Sequence, residues 1–335
     1  MHHPALIDVI AACARLRGHV VRTPLPPSPT LHKSCGHEVL LKLESRQTTG
    51  SFKLRGATNA VLMLDPGAAT RGVIAASTGN HARALAYAAR AQGLRCVVCM
   101  SELVPANKVD AVRALGADVR IVGQSQDDAQ HEVDRLVVQD GLSPVPPFDD
   151  ARVIAGQGTI AVEILEARPD TATLVVPLSG GGLAGGIAMA AKALQPSIRV
   201  VGVSMTRGAA MHASLAAGGP VEVRELPTLA DSLGGGIGLA NRHTFELVRA
   251  GLDEVVLLSE AEIADGIRHA YLHEQEIVEG AGAVGIAAVL AGRVRSAGPI
   301  AIVVSGRNID MTRHLRIVTD ETSRDEYPGA DGILS

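Results

Sequence analysis

Thr173-Leu174-Val175-Val176-Pro177-Leu178-Ser179-Gly180-Gly181-Gly182-Leu183-Ala184-Gly185-Gly186 is the stretch on which the fold turns. The run Thr173 to Pro177 is apolar and β-branched and reads as a buried strand. The glycines after it read as a turn, and the alanine-rich residues from Gly185 to Leu194 as a helix. A glycine-rich turn lets backbone N–H groups converge on an anion, and the helix N-terminus adds a favourable dipole. The turn is therefore a candidate phosphate site; the alternative is a tight turn with close helix–strand packing. The next strand, Ile198 to Val203, is followed by Ser204, so it lacks the Asp or Glu that would hold a dinucleotide ribose. No Walker lysine is present. These features favour a small phosphorylated cofactor over NAD or ATP.

The same alternation extends in both directions. Strands are expected at Gly72 to Ser77, Leu94 to Met100 and Asp118 to Val122. Helices are expected at Asn80 to Gln92, Pro105 to Leu115 and Gln126 to Gln139. The Asp140-to-Pro147 stretch, rich in Gly and Pro, punctuates this series. Further helix is expected at Ile160 to Glu166, a capping box at Ser259-Glu260-Ala261-Glu262 opens another, and Pro299 to Val304 is the final strand. Parallel strands need helical crossovers, so the class is α/β with parallel-sheet domains and a site in the cleft between them. The boundaries drawn are 1–71 plus 149–335 for a large domain and 72–148 for a small domain inserted in it.

Composition excludes several functions. At 335 residues the chain holds one large or two ordinary domains. A net charge of −4 and 2% aromatic residues offer neither a basic footprint nor stacking platforms, so no nucleic-acid partner is expected. No apolar run approaches the roughly 20 residues of a membrane helix, and no signal peptide opens the chain. A cytoplasmic protein is expected. Cys96 and Cys99 form a C-x-x-C, but on a strand residues three apart face opposite sides, so they read as core. His269 and His273 lack the neighbouring glutamate of a zinc-protease helix.

Lys53 stands out because there are five lysines against twenty-six arginines. Lysine forms a Schiff base once its free amine is populated, whereas the permanently charged guanidinium does not. Phe52, from a chain with three phenylalanines, lies beside it. Ser77-Thr78-Gly79-Asn80-His81 joins a strand to a helix, where a substrate carboxylate would be stabilised. Ser305, after the last strand, puts a neutral hydroxyl at a carboxyl-end crevice.

Ser51-Phe52-Lys53-Leu54-Arg55-Gly56, Ser77 to His81, Ser179 to Leu183, Ile154 to Thr159, Glu279 to Ala283 and Ser305-Gly306-Arg307-Asn308 together resemble the threonine/serine dehydratases. These are pyridoxal-phosphate (PLP) enzymes of fold type II, the tryptophan-synthase-β-like type. The likeness covers about residues 15 to 310. Within the group, Leu229 to Gly238 is similar to the dehydratases of ectoine and hydroxyectoine catabolism. The resemblance implies that Lys53 links covalently to PLP and removes the substrate Cα proton. It implies that Phe52 and Glu279 lie at the cofactor, that Asn80 bonds its ring hydroxyl, and that Ser179, Gly180, Gly181, Gly182 and Leu183 hold its phosphate. Ser305 would meet the pyridine nitrogen, where a neutral hydroxyl favours elimination over transamination. Ser77, Thr78 and His81 would lie by the substrate carboxylate, and Asp231 by the side-chain pocket.

The implied activity is β-elimination from a 3-hydroxy amino acid to a 2-oxo acid and ammonia. Racemisation on the same scaffold, 3-hydroxyaspartate as substrate, and a non-catalytic PLP-binding regulator stay open. Arg307 stands where the family's usual second glycine is found, and is a candidate cation facing the side-chain pocket. Ser204 and the residues after it carry no acid, so a divalent-cation site used by some members is expected to be absent. The chain ends soon after the Ser305 loop, so neither a regulatory amino-acid-binding domain nor feedback inhibition is expected. Relatives of this kind imply a homo-oligomer, a dimer or tetramer.

Overall fold

The computed structural model describes residues 3–77, 79–104 and 106–319. Nine strands form two parallel sheets among the described residues: β1 Val39–Lys42, β2 Val73–Ala76, β3 Cys96–Met100, β4 Asp118–Ile121, β5 Ser143–Pro144, β6 Thr173–Pro177, β7 Arg199–Met205, β8 Glu254–Leu258 and β9 Ile300–Val303. The larger sheet runs β1-β9-β6-β7-β8 and the smaller β4-β3-β2-β5. All pairings between these strands are parallel. Every crossover therefore carries helix, as the alternation requires.

Both sheets are covered on both faces, and the two-residue period of the strands sorts the core. Val39, Leu41, Val175, Ile300 and Ile302 pack with the Glu260–Leu272 and Gly280–Leu290 helices. Leu40, Leu174, Val176, Ala301 and Val303 face the opposite way, against the Ala151–Ala167 and Gly182–Leu194 helices. In the smaller sheet Cys96 packs with Val73 and Ala75, while Cys99 packs with Ile74 and Val97 on the other face. The two cysteines are free and separated by the sheet.

The Lys53–Leu62 helix joins the two halves. Its Leu54, Ala57, Ala60 and Val61 belong to the core of the smaller sheet. Its Gly56 meets Gly156 of the Ala151–Ala167 helix so closely that a Cβ on Gly156 would lie 2.7 Å from the Gly56 Cα. The division into 1–71 plus 149–335 and 72–148 stands as our proposal, with this helix serving both units.

Arg55 lies buried on that helix. Its Nε donates to Glu44 Oε2 at 2.8 Å and its Nη1 to Glu163 Oε1 at 2.7 Å. Its Nη2 reaches Glu44 Oε1 and Glu163 Oε2, and Lys42 Nζ donates to Glu163 Oε2 at 2.6 Å. Burial works to raise Glu163, yet the hydrogen bonds and charges of Arg55 and Lys42 hold its carboxyl below the ordinary value. Two cations and two carboxylates so balance inside the fold.

Removing one partner of a buried pair leaves an uncompensated charge, so Arg55→Leu should cost about 3–5 kcal/mol of stability. Arg22→Ala, which breaks the solvent-exposed pair with Glu166, should change it by less than about 1 kcal/mol. Urea unfolding of the two variants checks the contrast; equal losses would show that the buried network carries no special constraint.

Candidate active site

Loops at the carboxyl ends of the strands open onto one cavity of about 440 Å³. Ser305 follows β9, Ser179 to Gly182 follow β6, Ser77, Gly79 and Asn80 follow β2, and Ser101 follows β3. Parallel α/β sheets bind ligands at this end, because the helix N-termini point there. Phe52, Lys53, Leu183, His81, Asp231 and Glu279 also line the cavity. Of the residues expected at the site, Thr78 lies outside the described residues.

Lys53 opens the Lys53–Leu62 helix. Its Nζ donates to the Pro147 carbonyl at 2.7 Å and lies 5.1 Å from the Phe52 ring centroid. Burial lowers its pKa to about 8, against the opposing pull of the Glu279 carboxylate. Desolvation disfavours the ammonium, so a usable fraction of free amine exists near neutrality. Glu279 moves the other way. Burial and the charge of Asp231 raise it to about 7, although Asn80 Nδ2 donates to its Oε1 at 2.7 Å. Gly306 approaches it closely: a Cβ there would lie 2.2 Å from Glu279 Oε1, so a larger residue would displace the carboxyl.

The glycine loop has the form of an anion cradle. Gly181 takes φ +89° as N-cap of the Gly182–Leu194 helix, whose first-turn N–H groups have no intrahelical partner. A Cβ on Gly180 would lie 2.5 Å from the Phe148 ring, and one on Gly182 would be 2.9 Å from Phe148 Cα. Phe148 therefore lies against the loop beside Lys53's acceptor, Pro147. Ser305 is buried, and its Oγ donates to the Ala281 carbonyl at 3.2 Å.

Other expected residues have different partners. Ser77 Oγ accepts from Ala82 N, in the first turn of the Asn80–Ala91 helix, at 3.2 Å. His81 is buried, with Nε2 on the Val145 carbonyl at 2.7 Å. Burial and the neighbouring Lys53 charge lower its pKa to about 3, so the ring is neutral. A carbonyl only accepts, so Nε2 carries the proton and the ring has no second N–H for a carboxylate. Asp231 is exposed at the cavity mouth and pairs with Lys108 Nζ at 3.5 Å.

Arg307 does not line the cavity: its side chain is exposed, its backbone N–H donates to Gly50 O and its carbonyl accepts from Ile309 N. The second lysine at the cavity is Lys108, from the Ala106–Arg113 helix. Lys108 and Phe148 were not anticipated, although each belongs to a residue type as rare as the ones that singled out Lys53 and Phe52. Ser204 is buried in β7 with its Oγ on Met205 Sδ. No group of three or more His, Cys, Asp or Glu among the described residues could hold a metal ion. No helix of the described residues is long and apolar enough to cross a membrane.

These residues fit PLP. The cavity lies within the roughly 300–1,000 Å³ of small-molecule sites. A depressed lysine, a glycine cradle without room for a Cβ, and a buried neutral hydroxyl surround it. Ser179 to Leu183 would hold the phosphate, Lys53 the aldehyde carbon, Asn80 the ring hydroxyl and Ser305 the ring nitrogen.

Comparison with known proteins agrees. The family model "Pyridoxal-phosphate dependent enzyme" matches residues 16–306. A candidate threonine dehydratase of Sinorhizobium fredii is 60% identical over 315 residues, 94% of this chain and 95% of its own. The L-threonine ammonia-lyase of Thermotoga maritima is 42% identical over 93% of this chain and 78% of its own. The structure of maize serine racemase superimposes with a TM-score of 0.89 at 32% identity, over 96% of this chain and 98% of that one. The chain belongs to the pyridoxal-phosphate-dependent enzymes, in the fold-type-II threonine/serine dehydratase family, and is a PLP-dependent lyase.

Proposed function

We propose that this lyase dehydrates and deaminates a small neutral 3-hydroxy amino acid of the threonine or serine type, yielding a 2-oxo acid and ammonia. The observation that carries the reading is the pairing of Lys53, its pKa lowered to about 8, with the buried neutral Ser305 across one cavity. When bound, PLP supplies the electron sink for the charge that develops at Cα. Lys53 is the base that takes the Cα proton, and the Pro147 carbonyl holds its Nζ at the cavity wall. The neutral Ser305 leaves that sink shallow, which favours loss of a β-hydroxyl. The first turn of the Asn80–Ala91 helix orients the substrate carboxylate with backbone N–H groups, because the His81 ring has no N–H to spare.

The cavity's outer wall supports a neutral substrate side chain. Glu225 and Asp231 line it, and Lys108 is engaged by Asp231. A second carboxylate, as in 3-hydroxyaspartate, would meet like charge there. The narrower likeness of Leu229 to Gly238 supports a place in ectoine or hydroxyectoine breakdown. Exposed Tyr271, Leu272, Met311 and Leu315, on helices joined by the Tyr271–His314 ring contact, support a homo-oligomer.

A panel of L- and D-serine, L- and D-threonine and both 3-hydroxyaspartate diastereomers, scored for 2-oxo acid, tests the substrate class. Turnover of L-threonine or L-serine should exceed that of 3-hydroxyaspartate by about a hundredfold or more, since a like-charge juxtaposition costs several kcal/mol. Serine that changes hand without yielding 2-oxo acid would favour a racemase instead. Lys53→Ala should abolish turnover.

The lowered lysine predicts a pH dependence of cofactor uptake. The free amine gains as pH rises through about 8, so covalent PLP incorporation by apo-protein, trapped by reduction, should climb with a midpoint near that value. Because Glu279 opposes the lowering, Glu279→Gln should shift the midpoint down. A midpoint at the ordinary lysine value of 10.5 would contradict the burial of Lys53.

A further inference from the structure

Asn308 lies outside the main cavity and lines an adjoining one of about 290 Å³, yet it controls a residue inside the first. Its Oδ1 accepts from Arg83 Nη1 at 3.3 Å. Its Nδ2 donates to the Thr49 carbonyl at 2.9 Å and to Asn80 Oδ1 at 2.5 Å. Neither neighbour permits the reverse arrangement, because a guanidinium has no acceptor and a carbonyl no donor. The orientation of the Asn308 amide is so determined twice over. It follows that Asn80 must present Oδ1 to Asn308 and keep Nδ2 as its donor side. One Nδ2 proton goes to Glu279 Oε1, which leaves the second for the cavity that Asn80 lines.

Two glycines make the relay possible. Gly50, at φ +78°, lies so close that a Cβ would be 2.5 Å from Asn308 Oδ1. Gly306 presses Glu279 in the same way, with 2.2 Å between a built Cβ and Oε1. Gly50 and Gly306 thus bring backbone close to both ends of the relay, where any larger residue would press on the Asn308 amide and the Glu279 carboxyl.

We propose that Asn308, backed by Arg83 and the Thr49 carbonyl, is a positioning residue that keeps the Asn80 amide N–H turned toward the ring oxygen of the cofactor. This rests on the reading that PLP occupies the cavity with its ring hydroxyl at Asn80. An N–H aimed at that oxygen favours its anionic form over the neutral hydroxyl. The tautomer carrying the ring-oxygen proton absorbs at shorter wavelength, so the relay is visible in the spectrum of the resting holoenzyme, without turnover.

Asn308→Asp preserves size but offers acceptors alone, so Asn80 must turn its N–H side to the new carboxylate and its oxygen inward. At fixed pH the ratio of the long- to the short-wavelength band of the Lys53-bound cofactor should fall by about tenfold, the worth of one hydrogen bond to a charged group. Arg83→Met leaves the Thr49 carbonyl to orient the Asn308 amide, so its ratio should stay near the parental value, and a shift as large as that of Asn308→Asp would overturn the double determination. In an Asn80→Ala background, Asn308→Asp should add nothing, since a residue acting only through Asn80 shows complete coupling to it. A parental spectrum in Asn308→Asp, or a full shift that persists without the Asn80 side chain, overturns the proposal. Should Asn308→Asp not fold, Asn308→Ser, which removes the Nδ2 donor to Asn80, takes its place, and a parental spectrum there overturns the proposal. If the parent protein shows no absorbance that Lys53→Ala removes, the reading of the cavity fails instead.

Discussion

The Arg55 guanidinium, held between Glu44 and Glu163, is the constraint on which the rest depends. It ties together the loop after β1, the Lys53–Leu62 helix and the Ala151–Ala167 helix. Buried charges are costly to desolvate and tolerate little displacement once their partners are set. Arginine serves here where lysine would not, because its planar fork meets two carboxylates at once. Lys53 is two residues upstream on the same helix, so its backbone position is inherited from this network. The close approach of Gly56 to Gly156 fixes the remaining freedom, the spacing of the two helices.

From that anchor the chemistry follows by burial. Lys53 is lowered to about 8 and Glu279 is raised to about 7, each mainly by loss of water. The two groups are thereby brought near neutrality from opposite sides. That is the usual mark of a site prepared for proton transfer. Phe148 over the glycine loop and the neutral His81 ring complete a wall that carries few competing charges. The acidic groups sit toward the mouth, where Asp231 meets Lys108 across the cleft.

Much of this was legible in the sequence, and the failures have physical causes. The strand Thr173–Pro177 and its glycine turn were readable because apolar β-branched residues and glycines specify local conformation directly. The capping box at Ser259 was readable for the same reason. The Ala151–Ala167 helix was seen only from Ile160 to Glu166, since Gly156 and Gly158 look like breakers. They are instead contact points: a Cβ on Gly158 would strike Val9 and the Gly186 carbonyl. The short β5 hid within a proline-rich stretch, because its pairing with β2 is a long-range fact. Arg307, a candidate pocket cation whose residue type alone could not say whether it crowds the site or faces solvent, is exposed and absent from the cavity wall. Lys108 went unseen because its helix meets the cavity through tertiary packing alone.

By itself, the sequence determined the parallel α/β class, the glycine turn after a buried strand, the rare lysine beside Phe52 and the neutral serine after the last strand. These are properties of residue type and of neighbours a few positions away. Tertiary structure alone decided the protonation balance of Lys53 and Glu279, the neutrality of His81 and the direction of the Asn80 amide. It also decided which charges reach the cavity mouth. Each of those depends on what excludes water or supplies a hydrogen bond from far along the chain, 64 residues away for Val145 on His81, 94 for Pro147 on Lys53 and 259 for Thr49 on Asn308.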